Sequence, residues 1–314
     1  MMKYSLKQLS VFDAVASLES VSGAARKLSL TQSAVSMSLS QLESLLGRPL
    51  FIRQGNRLVL SHWGEWLRPR ARRLLQDAQQ IELGLHDHHI ISGRFQIGSS
   101  QTAGQHLLPD LITKIDTDFP QLRIDLNVRN TNSIIEGVIN YEYQLGIIEG
   151  RCDDSRVHQE RWIDDYLVIV AAPTHPFARH ADVSLAQLEQ AKWVLRESGA
   201  GTRRIFNSAI HGLIDHIDVW KEFEQVAILK AMAIKGPYLT CLPYLDVECD
   251  VEKGKLVILH TPQLNMERSL SFIWRNDEVE NPLRDCVLSE AHRMAKRRER
   301  EKNQVANKIP AVKK

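Results

Sequence analysis

The sequence contains no apolar run approaching the roughly 20 residues that a membrane-spanning helix needs. Residues 1–7 lack an apolar core followed by a small-residue cleavage site, so they give no sign of a secretory signal. The four cysteines form no CxxC pair, and no histidine cluster lies at zinc-finger spacing from them. These absences argue against a membrane protein, a disulfide scaffold and a zinc finger. They predict a reduced, cytoplasmic protein with no metal site and no cofactor.

Familiar enzyme motifs are also missing. The chain has no G-x-S-x-G elbow, no G-x-x-x-x-G-K-[ST] phosphate loop and no H-E-x-x-H zinc helix. We therefore expect a binding protein rather than an enzyme. Two alternatives stay open: a metal held by His86, His88 and His89, and redox sensing by Cys241 with Cys249. The histidines are also explained as the polar exit of a helix, and Cys241 lies in an apolar strand, where thiols are usually inert.

The charge distribution suggests domains with different partners. The 314 residues are 43% hydrophobic and 25% charged, which is ordinary for two or three globular domains. Positions 1–60 hold seven basic and three acidic residues, and positions 290–314 hold nine and three, although the formal net charge of the whole chain is only +2. The middle is therefore acidic. A basic head on an acidic body suggests that the head meets a polyanion.

The first 60 residues predict three helices followed by a hairpin. Apolar residues repeat at helical spacing at Leu6, Leu9, Phe12, Val15 and Ala16, then Ala24, Ala25 and Leu28, then Val35, Leu39, Leu42 and Leu46. Thr31 supplies an N-cap oxygen to the third helix, and Gly47 suits its end. Two short apolar runs on either side of Gly55-Asn56 predict a small two-stranded wing.

The polar face of the third helix is suited to a DNA groove. It carries hydroxyls, an amide and a thioether but no acid, at Thr31, Gln32, Ser33, Ser36, Met37 and Ser40. An amide can read a base edge, and a methyl group can contact thymine. Arg53 and Arg57 of the wing can reach phosphates, which position the protein without specifying sequence. A serine-rich, solvent-exposed helix is the plainer alternative.

A long helix is expected from Ser61 onward. Its apolar residues are spaced 4, 3, 4, 3, 4 at Leu67, Ala71, Leu74, Ala78, Ile81 and Leu85. This heptad pattern favours pairing with a second copy over docking on its own domain. Pro69 predicts a kink or a late start. Its neighbours Arg68, Arg70, Arg72 and Arg73 are expected near the DNA backbone.

Residues 4–64 resemble LysR-type transcriptional regulators. The resemblance rests on Ala24-Ala25, the run Leu30-Thr31-Gln32-Ser33-Ala34-Val35-Ser36, then Leu42-Glu43, Leu45-Leu46-Gly47, Leu50-Phe51 and Arg53. Met37 departs from it, because many members have a basic residue there. The resemblance implies an α/β fold class: a winged helix-turn-helix in 1–60, a linker (dimerisation) helix in 61–92 and a two-lobed, periplasmic-binding-protein-like α/β effector domain in 93–295.

The same resemblance implies the partners. They are double-stranded DNA with a nearly palindromic operator, a small anionic effector and a second copy of the chain in a dimer or tetramer. RNA polymerase is a further partner that the resemblance admits, and no membrane is expected. Residues 296–314 are expected to form a charged, disordered tail. This tail is explained either as a solvated extension or as an added nonspecific attraction to DNA.

From Arg94 the pattern changes to strands alternating with helices. Strands are predicted at 95–98, 124–128, 145–148, 166–171, 193–196, 217–220, 238–242, 256–260 and 270–275, and helices include 107–119 and 134–141. Such alternation predicts parallel sheets with helices on both faces and a ligand at the carboxyl ends of the strands. By family resemblance, the chain crosses between the two lobes near residues 162 and 265.

Two loops between a strand and a helix have the composition of anion sites. The candidate effector-binding residues are Ser99, Ser100, Gln101 and Thr102 in the first loop, Arg196, Gly201, Thr202 and Arg203 in the second, with Thr131 and Asn132 as a third contribution. Free N–H groups at a helix start attract anions, and hydroxyls and arginines add donors. Plain N-capping and a simple glycine turn are the alternatives.

The nature of the anion is suggested by a finer resemblance. Glu149-Gly150 and the stretch Arg196 to Arg203 are similar to a LysR subgroup that governs sulfur assimilation and responds to sulfite or related oxyanions. This predicts a sulfur oxyanion, with an organic acid as the alternative. Glu149 would repel an anion if it faced the cleft, so it is expected to point outward or to serve as a hydrogen-bonding group.

Overall fold

The computed structural model describes residues 3–54, 57–85, 91–277 and 281–308. Contacts divide the chain into two compact units: the first contains the N-terminal part as far as the long helix, together with Ile139–Glu142, and the second contains the rest. No described helix is both long and apolar enough to cross a membrane. His86, His88 and His89, the alternative metal ligands, and the wing turn Gly55-Asn56 lie outside the described residues.

The first unit consists of four helices and a hairpin. They are α1 (Leu6–Leu18), α2 (Val21–Lys27), α3 (Gln32–Leu46), β1 (Phe51–Gln54), β2 (Arg57–Leu60) and α4 (His62–Leu85). Thr31 Oγ1 accepts from the backbone N–H of Ala34 at 3.1 Å, so it caps α3 as the sequence predicts. Gly47 ends α3 with a φ of 67°, the left-handed conformation that glycine adopts without strain.

The core of this unit joins the wing to the helices. Leu9, Phe12 and Val15 of α1 are buried, and Phe12 packs edge-on against Phe51 of β1 with ring centroids 5.6 Å apart. Glu43 of α3 accepts hydrogen bonds from the backbone N–H groups of Leu50, at 2.7 Å, and Phe51, at 3.3 Å. The start of the wing is therefore fixed to the end of α3.

The apolar pattern of α4 serves two purposes. Leu67 and Ala71 are buried in the core of their own unit, whereas Leu74 and Ile81 remain 42% and 65% exposed. The prediction that all these positions form one seam between copies is therefore wrong for its first part. Helical spacing does not distinguish an internal partner from an external one. The late start considered for Pro69 does not occur, since α4 begins at His62.

Two of the arginines on α4 point to their own unit rather than to solvent. Arg72 is 8% exposed and donates to Asp13 at 2.7 Å, and Arg68 lies 3.5 Å from the same carboxylate. Both guanidinium groups also donate to Ser17 Oγ. They bind α4 to α1, which corrects the expectation that the whole arginine cluster lies free near the DNA backbone.

The second unit contains one extended sheet of nine strands with helices on both faces. Its elements are β3 (Gly93–Ser99), α5 (Gln101–His106), α6 (Leu108–Asp118), β4 (Leu122–Val128), α7 (Thr131–Ile139), β5 (Leu145–Glu149), β6 (Val157–Ala171), a 3₁₀ turn (Pro176–Arg179), α8 (Leu185–Gln190), β7 (Lys192–Arg196), α9 (Gly201–Ile210), β8 (Asp218–Phe223), α10 (Val226–Lys235), β9 (Tyr238–Pro243), α11 (Tyr244–Glu252), β10 (Val257–Leu259), β11 (Glu267–Arg275) and α12 (Pro282–Lys308). The strand order is β4-β3-β5-β11-β6-β9-β7-β8, and β10 pairs with β6.

This sheet is divided into two lobes by the strands that cross it. Lobe 1 contains β3, β4 and β5, lobe 2 contains β7 to β10, and β6 and β11 run antiparallel between them. Pairing within each lobe is parallel between β3 and its neighbours and between β7 and its neighbours. The sheet is therefore mixed rather than wholly parallel as predicted, because two strands must carry the chain out of lobe 1 and back.

The last helix is longer than the sequence suggested. α12 continues to Lys308, past the expected boundary at residue 295. Trp162 donates to the backbone oxygen of Ala291 at 3.0 Å and fixes the first half of the helix to β6. The continuation is rich in Lys, Arg and Glu, which are good helix formers, so its charge does not end the helix.

Candidate functional site

The first candidate surface is the polar face of α3. Its buried face contains Val35, Leu39 and Leu42. The predicted DNA-contacting side chains are all exposed, namely Thr31, Gln32, Ser33, Ser36, Met37 and Ser40. Met37 is 63% exposed on the same face. The surface is uncharged, and its hydroxyls, amide and methyl group are of the kinds that can contact base edges in a DNA groove.

The wing lies next in the chain. Arg53 is exposed on β1, which pairs with β2 in an antiparallel hairpin. Arg57 begins β2, and its side chain lies outside the described part of the structure. An exposed guanidinium is available to an external anion such as a phosphate.

The second candidate site lies where the two lobes meet. The carboxyl ends of the neighbouring strands β4, β3 and β5 bring Thr131, Ser100 and Glu149 to one edge of lobe 1. Lobe 2 contributes the start of α9, with Gly201 and Thr202. We call this set of residues, together with Thr102, the cleft. Its position is the one at which open α/β sheets bind ligands.

The cleft is closed around the carboxylate of Glu149. Thr102 Oγ1 donates to Glu149 Oε1 at 2.9 Å. From lobe 2, Thr202 donates to Glu149 Oε2 twice, from its backbone N–H at 3.1 Å and from its hydroxyl at 2.9 Å. Glu149 is 2% exposed. It therefore points into the cleft, which corrects the expectation that it points outward and keeps the hydrogen-bonding role that was the other option.

A single arginine neutralises this buried carboxylate. Arg268 of β11 lies 2.7 Å from Glu149 and 2.5 Å from Asp165 of β6, and it also donates to the hydroxyls of Thr102 and Thr202 at 3.2 Å. Its side chain is fully buried. One cation thus connects both lobes and both crossing strands, and a buried charge of this kind is stable only when it is fully paired.

A second inter-lobe pair adjoins this network. His106 of α5 lies 2.7 Å from Asp246 of α11, and Asp246 also approaches the hydroxyl of Thr102 at 3.3 Å. Asp246 is 5% exposed. The cleft and its border therefore contain three buried carboxylates, Glu149, Asp165 and Asp246. Arg268 contacts the first two, and the buried Arg196 acts electrostatically on Glu149 from further away.

The protonation of Glu149 reflects this environment. Burial alone would raise the pKa of the carboxyl. The positive charge of Arg268 and the hydrogen bonds from Thr202 and Thr102 act in the opposite direction and hold the pKa of Glu149 below its ordinary value. The group is an anion at neutral pH, and the donors of the cleft are the reason.

Other polar groups at or beside the cleft have no partner among the described residues. The hydroxyls of Ser100 and Thr131 are buried and make no hydrogen bond there, and neither does the neighbouring amide oxygen Gln101 Oε1, which is an acceptor. A Cβ on Gly201 would lie 2.7 Å from Thr131 Oγ1 and 2.7 Å from Glu149 Cβ. The Thr131 hydroxyl therefore faces the start of α9, and only glycine at position 201 allows this close approach. Buried hydroxyls without partners are rare and call for an explanation.

The remaining candidate residues lie around the cleft. Ser99 Oγ donates to the backbone oxygen of Ser100 at 3.0 Å, and the N–H of Asn132 donates to the backbone oxygen of Gly199 in lobe 2 at 3.3 Å. Arg196 pairs with Glu197 at 2.9 Å. Arg203 donates to Glu222 at 2.6 Å. Both arginines predicted for an anion thus already have carboxylate partners, and the cation inside the cleft is Arg268.

Sequence reasoning missed Arg268, Asp165, Asp246 and His106. Arg268 and Asp165 are far from the two loops along the chain, and the pairing of β6 with β11 places them together. His106 is only four residues after Thr102, but its partner Asp246 is distant in the chain. One signal was available: a charged residue within or at the end of a strongly apolar strand needs a partner inside the protein. Glu149, which ends the fully buried strand β5, and Arg268, near the start of β11, both carry that signal.

The redox alternative finds little support in the geometry. Cys241 of β9 is 1% exposed, and burial raises the pKa of its thiol far above the ordinary value, which disfavours the reactive thiolate. Cys249 is exposed on α11, and both are free thiols. Among the described residues, no group of three or more His, Cys, Asp or Glu side chains is arranged to hold a metal ion.

Comparison with known proteins identifies both parts of the chain. Residues 6–65 match the family model described as "Bacterial regulatory helix-turn-helix protein, lysR family", and residues 88–296 match the one described as "LysR substrate binding domain". The HTH-type transcriptional regulator YeiE of Escherichia coli is 36% identical over 274 residues, which are 87% of this chain and 91% of the relative. The HTH-type transcriptional regulator CysL of Bacillus subtilis is 28% identical over 269 residues, 84% of this chain and 89% of the relative.

The fold is likewise known. A full-length OxyR variant from Pseudomonas aeruginosa superimposes with a TM-score of 0.74 at 21% identity, over 93% of this chain and 96% of that one. The relatives that match are transcriptional regulators and not enzymes. The chain therefore belongs to the LysR family of transcriptional regulators, with a DNA-binding helix-turn-helix and a two-lobed α/β effector-binding domain.

Proposed function

We propose that this regulator reads DNA with the exposed face of α3 and positions itself with the wing. Gln32, Ser33, Ser36 and Met37 face the major groove, and Arg53 binds phosphate. The DNA-binding domain is residues 1–60 and the linker helix 61–92. Two copies pair through the exposed part of α4, around Leu74 and Ile81, so the operator is nearly palindromic. The protein acts in the cytoplasm, as a dimer or tetramer, with RNA polymerase as a further partner.

We further propose that residues 93–295 bind a small anionic effector in the cleft and that this binding modulates the interaction with DNA. One observation supports the proposal above the others: Thr102 and Thr202, from opposite lobes, donate to the same carboxylate. Donors that converge on two anionic oxygens across a lobe boundary are suited to an anionic ligand. An anion bound there would favour the closed arrangement of the lobes, and it can act only through its different affinity for the two arrangements.

Two classes of anion fit these donors. A sulfur oxyanion such as sulfite offers three oxygens to the hydroxyls and the N–H groups of the cleft, and the unpartnered hydroxyls of Ser100 and Thr131 favour such a ligand. An organic acid is the second candidate, because the group that the donors hold in this structure is itself a carboxylate. A groove of about 1110 Å³ is lined in part by Asp165, Arg204 and Arg268, so it borders the two charged groups that pair behind the cleft.

The test is calorimetric titration of the full-length protein with sulfite, sulfate, thiosulfate and a panel of carboxylates. Wild type, Thr102→Val and Thr202→Val are compared, because valine keeps the shape and removes the hydroxyl. Loss of a hydrogen bond to a charged group costs about 1.5–3 kcal/mol, or roughly a ten- to hundredfold weaker affinity. An effector that both variants bind as tightly as wild type would place the site elsewhere.

A further inference from the structure

We propose that the Glu149 carboxylate is an internal ligand of the cleft, which an effector anion must displace in order to bind. This inference rests on the proposed anion-binding function and adds to it a residue that lowers the apparent affinity of the cleft for an effector. Glu149 belongs to lobe 1, yet two of its strongest contacts, the N–H and the hydroxyl of Thr202, come from lobe 2. The carboxylate therefore makes the same inter-lobe connection that an effector would make.

The donors that the effector needs are already engaged. Glu149 accepts from the hydroxyls of Thr102 and Thr202, from the N–H at the start of α9, and from Arg268. Each hydroxyl has only one proton to donate. An external anion cannot use these donors while Glu149 holds them, so binding is an exchange of one anion for another.

Two further hydroxyls distinguish an external anion from Glu149. Ser100 and Thr131 are 2% and 1% exposed, their hydroxyls have no partner among the described residues, and that of Thr131 is directed at Gly201. A free anion can be oriented to use these groups as well as the threonine donors, whereas the side chain of Glu149 is tethered to β5. The additional hydrogen bonds give the effector the free energy with which it replaces the tethered carboxylate.

The charge of the surroundings opposes simultaneous occupancy. The charged and titratable groups around Glu149 and its donors include Arg268, Arg196, Asp165, Asp246 and His106. With Glu149 in place, three buried carboxylates already surround Arg268, and the other buried guanidinium, Arg196, is paired with Glu197, so a second anion beside them would be repelled in a low-dielectric interior. Departure of Glu149 removes one of these charges and leaves Arg268 paired with Asp165.

The experiment compares anion binding by full-length wild type and the Glu149→Gln variant, with sodium sulfite and sodium acetate as probes. Glutamine keeps the size of the side chain and removes the competing charge. Because an internal competitor lowers the apparent affinity by the fraction of time it occupies the site, the variant should bind one or both probes at least about tenfold more tightly. Sulfite tightened more than acetate would indicate an oxyanion effector, and the reverse would indicate an organic acid.

Asp250→Asn is the matched control. Asp250 is a partly buried carboxylate that pairs with Lys230 at 2.8 Å and does not contact the cleft donors. The Asp250→Asn variant should bind both probes as wild type does. This control separates the effect of losing the Glu149 carboxylate from the effect of losing one negative charge elsewhere.

The outcomes separate the two proposals. If wild type binds a probe and Glu149→Gln binds it equally or more weakly, the proposed displacement of Glu149 is wrong. Glu149 would then be a fixed cap of the cleft or a contact of the ligand, and the proposal of an anion site would stand. If neither protein binds any anion, the anion-binding function itself fails. A crystal structure of wild type with sulfite gives an answer that does not depend on the variant. Displacement requires the Glu149 carboxylate to lie beyond hydrogen-bond distance of Thr202, and a retained contact overturns it.

Discussion

Small hydroxyl side chains occur in both candidate sites, but their surroundings differ completely. Ser33 and Ser36 on α3 are exposed, whereas Thr102 and Thr202 in the cleft are buried and hydrogen-bonded to one carboxylate. An exposed hydroxyl is satisfied by water and exchanges it for a partner at little cost, but a buried one must have a partner within the protein. Under the functions proposed above, the exposed face of α3 would be ready to bind DNA, whereas the cleft would have to give up an internal partner first.

The largest expected effect of this difference is on stability. Arg268→Met should lower the free energy of unfolding by about 3–5 kcal/mol, because it leaves Glu149 and Asp165 buried without their cation. Urea unfolding followed by circular dichroism measures the change. Arg156→Met is the control: its pair with Asp154 lies at the surface, and the loss of such a pair should change stability very little. Equal losses in the two variants would show that the buried network is no more important than a surface pair.

The next effect concerns α4, a single helix that has both buried and exposed apolar side chains. Leu74→Lys should weaken the dimer at least about a hundredfold by introducing charge into the contact between copies, and it should leave the fold of the monomer intact. Light scattering at decreasing protein concentration measures the change. Leu67→Ala should instead lower stability by about 2–5 kcal/mol without this dissociation, since Leu67 is buried in its own unit. A Leu74→Lys protein that stays dimeric at all concentrations would show that the exposed part of α4 is not the interface.

A smaller effect is expected at the wing. Arg53→Ala should weaken binding to specific and unrelated DNA alike and should reduce the slope of log affinity against log salt concentration by about 0.9, the value for one lost phosphate contact. Fluorescence anisotropy at several salt concentrations gives both numbers. Loss of affinity for one DNA sequence only would mean that Arg53 reads a base.

The smallest effect is the pH dependence that Glu149 adds to the free energy of unfolding. Because its pKa in the folded protein lies below its ordinary value, its contribution to stability is complete above about pH 4.3 and is lost as the pH falls through the lower folded-state pKa. Glu149→Gln should therefore be less stable than wild type at neutral pH, and the gap should narrow in acid. Urea unfolding between about pH 3 and 7 tests this, and a gap that widens in acid would contradict it.

The contrast between the α3 surface and the cleft also explains how much of the structure could be predicted from the sequence. The recognition helix, its Thr31 cap, its Gly47 end and the wing follow from local patterns, since helical spacing and capping involve residues that are close in the chain. Most strands of the effector domain were also located, although β6 begins at Val157, well before the predicted start at 166. Its first half has charged residues at positions that face solvent, which obscured the apolar pattern.

The cleft could be predicted only in part. The composition of the loops around Thr102 and Thr202, and their place between a strand and a helix, predict anion-binding elements, and the structure brings the two threonines together on one carboxylate. That the anion they hold is Glu149, and that its counterion is Arg268, depends on contacts between residues 53 and 119 positions apart. Local patterns contain no information about such pairs.

The most direct test measures operator DNA affinity as a function of sulfite or acetate concentration in wild type, Ser36→Ala and Thr202→Val. Ser36→Ala should change the affinity for DNA. The anion concentration that produces half of the effect on DNA binding should shift by no more than the thermodynamic coupling between the two sites requires. Thr202→Val should leave the affinity for DNA without anion nearly unchanged and shift the half-effect concentration about tenfold or more upward. If the two variants alter the same quantity, or if no anion changes DNA binding in any of the three proteins, the account of an exposed reading surface controlled by a buried anion site is contradicted.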